Sequence, residues 1–247
     1  MNAGEPMSIK KQASANCAFI WESVDWSLVE DKVSKLQSRI AKAAQSGKKY
    51  LVKKLQYLLS KSYYGRLVAV KRVISNKGKK TPGVDGEIWS TSLSRYKAVL
   101  RLGTQSYRSQ PLKRTYIKKK NGKDRPLGIP TMYDRAKQAL HMLGLDPVAE
   151  VVLDKNSFGF RKYRSTKDAC EYLFKCLGRK DSAKWILEGD IKGCFDNINH
   201  RWLLNNIPMH KRTLKQFLKS GYVYRKRLYQ SESGTPQGGI VSPVLAT

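Results

Sequence analysis

The sequence predicts an α+β fold, with amphipathic helices near the N-terminus and a mixed region of short strands and helices after them. Three observations carry this. Apolar residues recur at helical spacing over two long stretches, Val29, Val33, Leu36, Ile40 and Ala43, then Leu51, Leu55, Leu58 and Leu59. Leu112–Lys120 and Lys123–Ile129 flank Asn121-Gly122, a pair that favours a tight hairpin turn because both central residues take positive φ. Trp185–Leu187 is a short apolar run bounded by turn residues, which reads as a buried strand.

In chain order, residues 1–20 read as a disordered tail. Ser27-Leu-Val-Glu30 fits a capping box for the first helix, which Gly47 ends. Its outer face carries Lys32, Lys35, Arg39 and Lys42. A second helix is expected from about Lys48 to Ile74, with Lys53, Lys54, Lys61 and Arg66 outward. These faces suit either solvent or RNA or DNA contact. Residues 76–86 are a loop dense in Gly and Pro. A short helix follows from about Ser92 to Leu102, stopped by Gly103. The hairpin then places Lys113, Arg114, Lys118, Lys119, Lys120, Lys123 and Arg125 on a stiff basic finger. Such a finger suits a triphosphate, a nucleic-acid backbone, or protection of an edge strand by lysines.

Thr131 caps a helix whose inner side is Ala136, Leu140 and Leu143, and Pro147 marks a break in it or a new first turn. Ser165 or Thr166 caps another helix to about Leu177, ended by Gly178, with Cys170 and Cys176 on it as small hydrophobes. Asn199 caps a short helix to about Asn206, and Thr213–Ser220 lies in one more. Tyr222–Tyr229 alternates like a strand. Ser242-Pro243 reads as N-cap and first residue of a helix.

The chain has 247 residues, 48 Lys+Arg against 19 Asp+Glu, and a formal charge of +29. Such an excess opposes compaction unless a polyanion is bound. Nucleic acid is the first candidate and an anionic membrane surface the second. No stretch approaches the ~18 apolar residues of a membrane span. Met1–Gln12 lacks the apolar core of a signal peptide, so a cytoplasmic location is expected. Cys17, Cys170, Cys176 and Cys194 contain no C-x-x-C pair and, with three histidines, do not make zinc spacing.

The expected strand runs out at Gly189 and delivers Asp190 to its end, followed by Phe195 and Asp196. A strand-end carboxylate suits a hard cation such as Mg²⁺, which needs oxygen ligands, and it suits a turn or cap equally well. Together with the glycine-lined loop Ser233-Gly-Thr-Pro-Gln-Gly-Gly239 and the basic hairpin, these are parts that nucleotide polymerisation needs. That phosphoryl transfer uses two metal ions held by carboxylates.

Five motifs occur in order: Thr81-Pro-Gly-Val-Asp-Gly86, Arg125-Pro-Leu-Gly-Ile-Pro130 with Asp134-Arg135, Ser157-Phe-Gly-Phe-Arg161, Asp190-Ile-Lys-Gly-Cys-Phe-Asp196, and Gly234-Thr-Pro-Gln-Gly-Gly239 with Ser242-Pro243. On them the chain resembles the reverse transcriptases encoded by bacterial group II introns, which also have maturase activity. The resemblance implies a right-hand polymerase fold: a helical N-terminal extension (21–80), fingers (81–180) and a partial palm (181–247). It implies that Asp190 is a catalytic metal ligand, joined by the carbonyl of Ile191, with two Mg²⁺ in the complete enzyme. Lys119 and Arg125 would grip the incoming triphosphate. Phe195 would be the sugar gate that excludes a 2′-hydroxyl. Gln237 and Gly238 would line the nucleotide pocket, and Asp196 would be structural. The basic residues of the first two helices, with Lys113 and Arg114, would contact RNA. The implied partners are intron RNA, an RNA template, a DNA primer and dNTPs.

The family's Tyr-x-Asp-Asp hairpin has no counterpart in these 247 residues. The expectation is therefore a shortened form that does not polymerise DNA by itself and binds RNA, or a non-functional remnant.

Overall fold

The computed structural model describes residues 5–104, 107–118, 122, 124–236 and 238–246. The stretch expected as a disordered tail is helical, α1 (Glu5–Glu22). Its end is held because Trp21 is buried, meets Trp26 edge-to-face at 5.1 Å, and Glu22 accepts a hydrogen bond from Ser92 Oγ at 2.8 Å. Helix α2 (Trp26–Gln45) starts one residue before the expected cap. Asp25 Oδ1 accepts from the Leu28 amide, satisfying a free helix-end donor, and Glu30 pairs instead with Lys71 at 2.7 Å.

The expected second helix is two, α3 (Lys49–Lys61) and α4 (Tyr63–Ser75). Ser62 is extended (ψ 135°), and its Oγ accepts from the Gly65 amide to restart the helix. Gly65 is required there: a Cβ would stand 2.6 Å from the Leu59 carbonyl oxygen. Residues 77–80 form a 3-10 turn, and α5 (Ser92–Leu102) lies where expected, capped by Thr91.

Strands β1 (Leu112–Lys118) and β2 (Asp124–Ile129) pair antiparallel, in the register Lys113 to Ile129 through Lys118 to Asp124. Of the expected turn, Gly122 has φ +76°, and Lys119, Lys120, Asn121 and Lys123 lie outside the described residues. Helix α6 (Met132–Val152) then runs through the centre of the molecule, packed by α2, α3 and α4. It is buried on nearly all sides, as a helix without a solvent face must be.

Pro147 lies inside α6 and does not break it. A proline has no amide hydrogen, so the carbonyl four residues earlier, on Leu143, loses its helix partner. Gln37 of α2 donates its Nε2 to that carbonyl at 2.8 Å, and Gln56 of α3 donates to the next one, on Gly144, at 3.0 Å. Neighbouring helices thus complete what the proline leaves open.

His141 of α6 meets Phe217 edge-to-face at 6.1 Å. Burial, then the nearby Lys137 and His210, lower its pKa to about 3. The fold holds the neutral ring, whereas an unfolded histidine takes a proton near pH ~6.5. This stability is full above that value and is lost as pH falls from it towards 3. The expected slope is up to about 1.4 kcal/mol per pH unit. A urea midpoint that falls between pH 7 and 5 in the wild type is expected to fall less in His141→Gln.

After α6, the peptide 157–161 is tied down by Arg161, which pairs with Glu150 and donates to the carbonyls of Asp154 and Ser157. Helix α7 (Thr166–Leu177) has its expected Ser165 cap, and no residue of it is buried. Cys170 and Cys176 are on it, both exposed.

The expected strand Trp185–Leu187 is not one. It has no regular structure, and Trp185 and Leu187 are 95% and 97% exposed. A strand needs a neighbour for its backbone groups, and among the described residues none pairs with this run.

Short helices α8 (Cys194–Asn197) and α9 (His200–Asn206) follow, the second with Asn199 as cap, and then α10 (Lys211–Leu218). Tyr222–Tyr229 is a hairpin of β3 (Tyr222–Tyr224) and β4 (Arg227–Tyr229) rather than one strand. Arg225 and Lys226 turn it with φ of 48° and 64°, the values an I′-type turn demands. β3 joins β1 in parallel, so the sheet order is β2-β1-β3-β4. Helix α11 (Ser242–Ala246) packs on α6. A second core cluster of Leu145, Leu203, Met209, Leu214, Phe217, Leu218, Val241 and Leu245 fastens these later elements to α6.

Candidate nucleotide and nucleic-acid site

Three segments far apart in sequence converge beside the sheet. The first is the β1–β2 hairpin, the second the turn bearing Phe195 at α8, and the third the glycine-rich loop 233–239. Between them lies a cavity of about 90 Å³, lined among others by Arg114, Gly128, Phe195, Gly234 and Thr235.

The turn and the loop are latched by backbone. The Thr235 amide donates to the Phe195 carbonyl at 2.7 Å and the Gly234 amide to the Ile198 carbonyl at 2.8 Å. Ser233 Oγ donates to the Asp196 carbonyl at 3.0 Å. Buried His200 places Nε2 2.7 Å from the Gly234 carbonyl oxygen, close enough to donate to it. Gly234 is needed for the approach, since its φ is +77° and a Cβ would stand 2.5 Å from the Phe195 carbonyl oxygen. On the far side of the loop, Gly238 (φ +114°) comes so near the Gly128 carbonyl of β2 that a Cβ would be 2.9 Å from it.

Sequence reasoning missed two residues that hold this site, one beside Phe195 and one beside Gly234. Phe160 meets the Phe195 ring edge-to-face at 6.0 Å, from a backbone at φ +61° that is unusual for a bulky residue. His200 gave no signal beyond a histidine after an N-cap, because its partner is 34 residues away.

The other expected site residues divide. Arg114 does not stand on an outer basic face. It is half-buried, with its guanidinium 3.8 Å from the Tyr222 ring centroid, and it lines the cavity. Arg66 also turns inward, donating to the Val99 carbonyl at 3.2 Å and stacking on Tyr63. Its side chain serves helix packing, because α4 presents that position to α5. Lys32, Lys35, Arg39, Lys42, Lys53, Lys54, Lys61 and Lys113 are exposed, with Lys35 paired to Asp31 on its own helix. Arg125 is exposed on β2, in register with Ile117. Asp190 and Ile191 are exposed and do not line the cavity. Lys119 and Gln237 lie outside the described residues.

Comparison with known proteins gives two matching families. The N-terminal domain of reverse transcriptase matches residues 21–102, and reverse transcriptase (RNA-dependent DNA polymerase) matches residues 117–247. The chain belongs to the reverse transcriptase family. It is similar to the group II intron-encoded protein LtrA of Lactococcus lactis subsp. cremoris, 39% identical over 218 residues, covering 84% of this chain and 36% of LtrA. Protein YkfC of Escherichia coli (strain K12) is 31% identical over 228 residues, covering 87% of this chain and 59% of YkfC. Maturase-like protein 1 of Euglena gracilis is 30% identical over 194 residues, covering 76% of this chain and 41% of that protein. The chain thus spans about a third of the length of LtrA.

Membership places the hairpin, the Phe195 turn and the glycine loop within a reverse transcriptase fold of mixed helix and sheet. The +29 formal charge suits a polyanion at this surface. Among the described residues no helix is long and apolar enough to cross a membrane. Reverse transcriptases generally use divalent metal ions. Among the described residues, however, no group of three or more His, Cys, Asp or Glu side chains is placed to hold one. Asp190 alone does not make a two-ion centre.

Proposed function

We propose that this chain is the N-terminal part of a group II intron reverse transcriptase, holding intron RNA and contributing to RNA-directed DNA synthesis in the bacterial cytoplasm. The observation that carries this reading is the cavity in which the hairpin, Phe195 and the glycine loop meet. Beside this small cavity Phe195 packs under C2′ of an incoming dNTP and leaves no room for a 2′-hydroxyl. Lys119 and Arg125 attract the triphosphate, and Gln237 and Gly238 bring the loop against the nucleotide. Asp190, with the carbonyl of Ile191, supplies one part of a Mg²⁺ shell whose other protein ligands are not among the described residues. The exposed lysines and arginine of α2 and α3 face the RNA, while the template and DNA primer lie along the hairpin.

For the 247-residue chain by itself, one observation favours RNA binding without polymerisation. Trp185–Leu187, which leads to Asp190, is unpaired and exposed. A segment in that state cannot fix a carboxylate within the ~0.5 Å that a catalytic constellation needs. The purified chain is expected to shift intron RNA on a gel and to incorporate no labelled dNTP on a primed RNA template. Incorporation that Asp190→Asn abolishes would overturn the binding-only reading and support a complete centre. Failure to bind RNA would overturn both.

A further inference from the structure

A second cavity lies beyond Ser220, the one residue it shares with the Phe195 cavity. It is an open groove of about 680 Å³ between the segment 108–111, helix α10 and the β3–β4 hairpin. One wall is a stripe of cations. Arg212 and Lys215 lie about one helical turn apart on one face of α10, and Lys219, at i+7, is the residue that caps its C-terminal end. The opposite face of α10 is locked in the core by Leu214, Phe217 and Leu218, so the stripe cannot roll away. Arg108 and Gln110 stand across the groove. Their segment is pinned to α10 by Ser109, whose amide and hydroxyl donate to Gln216 Oε1 at 3.3 Å and the Gln216 carbonyl at 2.9 Å. Among the described residues no acidic residue lines the groove. None of its four cations is in an ion pair among the described residues.

Four like charges held on rigid walls repel one another until an anion neutralises them. We infer that this groove binds the phosphate backbone of double-stranded RNA. Among the described residues no aromatic side chain lines it, so they provide no stacking platform of the kind that single strands use. The amides of Gln110 and Gln230 can donate to and accept from 2′-hydroxyls, which a double-stranded RNA presents across its wide minor groove. An acidic protein surface fits less well, because protein interfaces anchor largely on buried aromatic contacts and none is among the described residues that line the groove. The inference rests on RNA being a partner of the chain and is independent of polymerisation.

The test is fluorescence anisotropy of the full chain with a labelled RNA hairpin, a single-stranded RNA of equal length and a DNA duplex of the same sequence, across a salt series. The variant is Arg212→Gln/Lys215→Gln/Lys219→Gln. The control, Lys77→Gln/Lys79→Gln/Lys80→Gln, removes the same charge elsewhere on the surface. The groove variant is expected to bind the RNA hairpin about tenfold more weakly or worse, with a salt slope lower by about 3, near one per lost phosphate contact. Its binding of single strands and of DNA, and the control's binding of the hairpin, are expected to change less than about threefold on the same counting. An unchanged hairpin affinity, an equal loss in the control, or an equal loss for single strands or DNA overturns the proposal. So does displacement of the hairpin by polyglutamate at equal charge concentration, which would point to an acidic protein. A wild type that binds none of the RNAs overturns the RNA-binding reading as well, which separates the two failures. Should the triple variant melt abnormally by circular dichroism, Lys215→Gln alone is expected to lower the slope by about 1.

Discussion

Asp134→Ala is expected to remove about 3–5 kcal/mol of stability, because three buried donors lose their acceptor together. Asp134 is 3% exposed and faces no cation. Its carboxylate instead accepts from Tyr107 Oη at 2.7 Å, Thr131 Oγ1 at 2.7 Å and the Gln110 amide at 3.2 Å. Burial, then the negative charge of Asp134, pushes the Tyr107 hydroxyl far above the ordinary tyrosine range, so it remains a donor at any working pH. Truncation at Asp134 would leave three donors facing a void. Each unsatisfied buried donor costs about 1–3 kcal/mol, less whatever a hydroxyl recovers by turning elsewhere. Asp134→Asn keeps one acceptor oxygen and is expected to cost about 1–2 kcal/mol on the same scale. Urea unfolding measures both. A loss under about 1 kcal/mol in the alanine variant would show that the network is not buried as described. The network matters beyond stability because Tyr107 and Gln110 carry the chain from the helical half to α10, where Phe217 meets Tyr107 edge-to-face at 5.9 Å.

Gly234→Ala is expected to cost about 2–4 kcal/mol, in the range of mutations that force a backbone shift in a packed site. The added methyl would meet the Phe195 carbonyl at 2.5 Å and the Asp196 carbonyl oxygen at 2.7 Å. These are backbone atoms and cannot swing aside as a flexible side chain would. The shift would strain the amide bonds of Gly234 and Thr235 and loosen the contact to His200. Gly122→Ala is the matched control, with φ +76° against +77° and nothing among the described residues within 4 Å of its added methyl. It carries the backbone strain without the clash and is expected to cost about 1 kcal/mol. Hydrogen exchange at Phe195–Ile198 should accelerate in the first variant and not in the second. Equal destabilisation would show that conformation, not the close approach, makes glycine necessary at 234.

Much of the fold was legible because its signals are local. Gly103 stops α5, Ser165 and Gly178 bracket α7, and Asn199 opens α9, each through groups within a few residues. The errors share one cause. The Ser27 box lost to Asp25 because Glu30 had a better partner in Lys71, 41 residues on. Pro147 signals a break or a new first turn in the sequence because its compensation comes from Gln37 and Gln56 on other helices. Arg66 and Arg114 look like their exposed basic neighbours in sequence, yet each is drawn inward by an aromatic ring and a packing surface supplied by distant elements.

The sequence by itself determined the helix periodicities, the hairpin, the charge that calls for a polyanion, and the ordered motifs of the reverse transcriptase family. These depend on spacing along the chain, which the sequence contains in full. The tertiary structure alone decided that Phe195, Arg114 and Gly234 share a cavity, that His200 braces it, and that α10 aims its cations into a second groove. It also decided that Trp185–Leu187 lies unpaired, because a strand exists only where another strand meets its backbone, and no residue of the run can state whether one does.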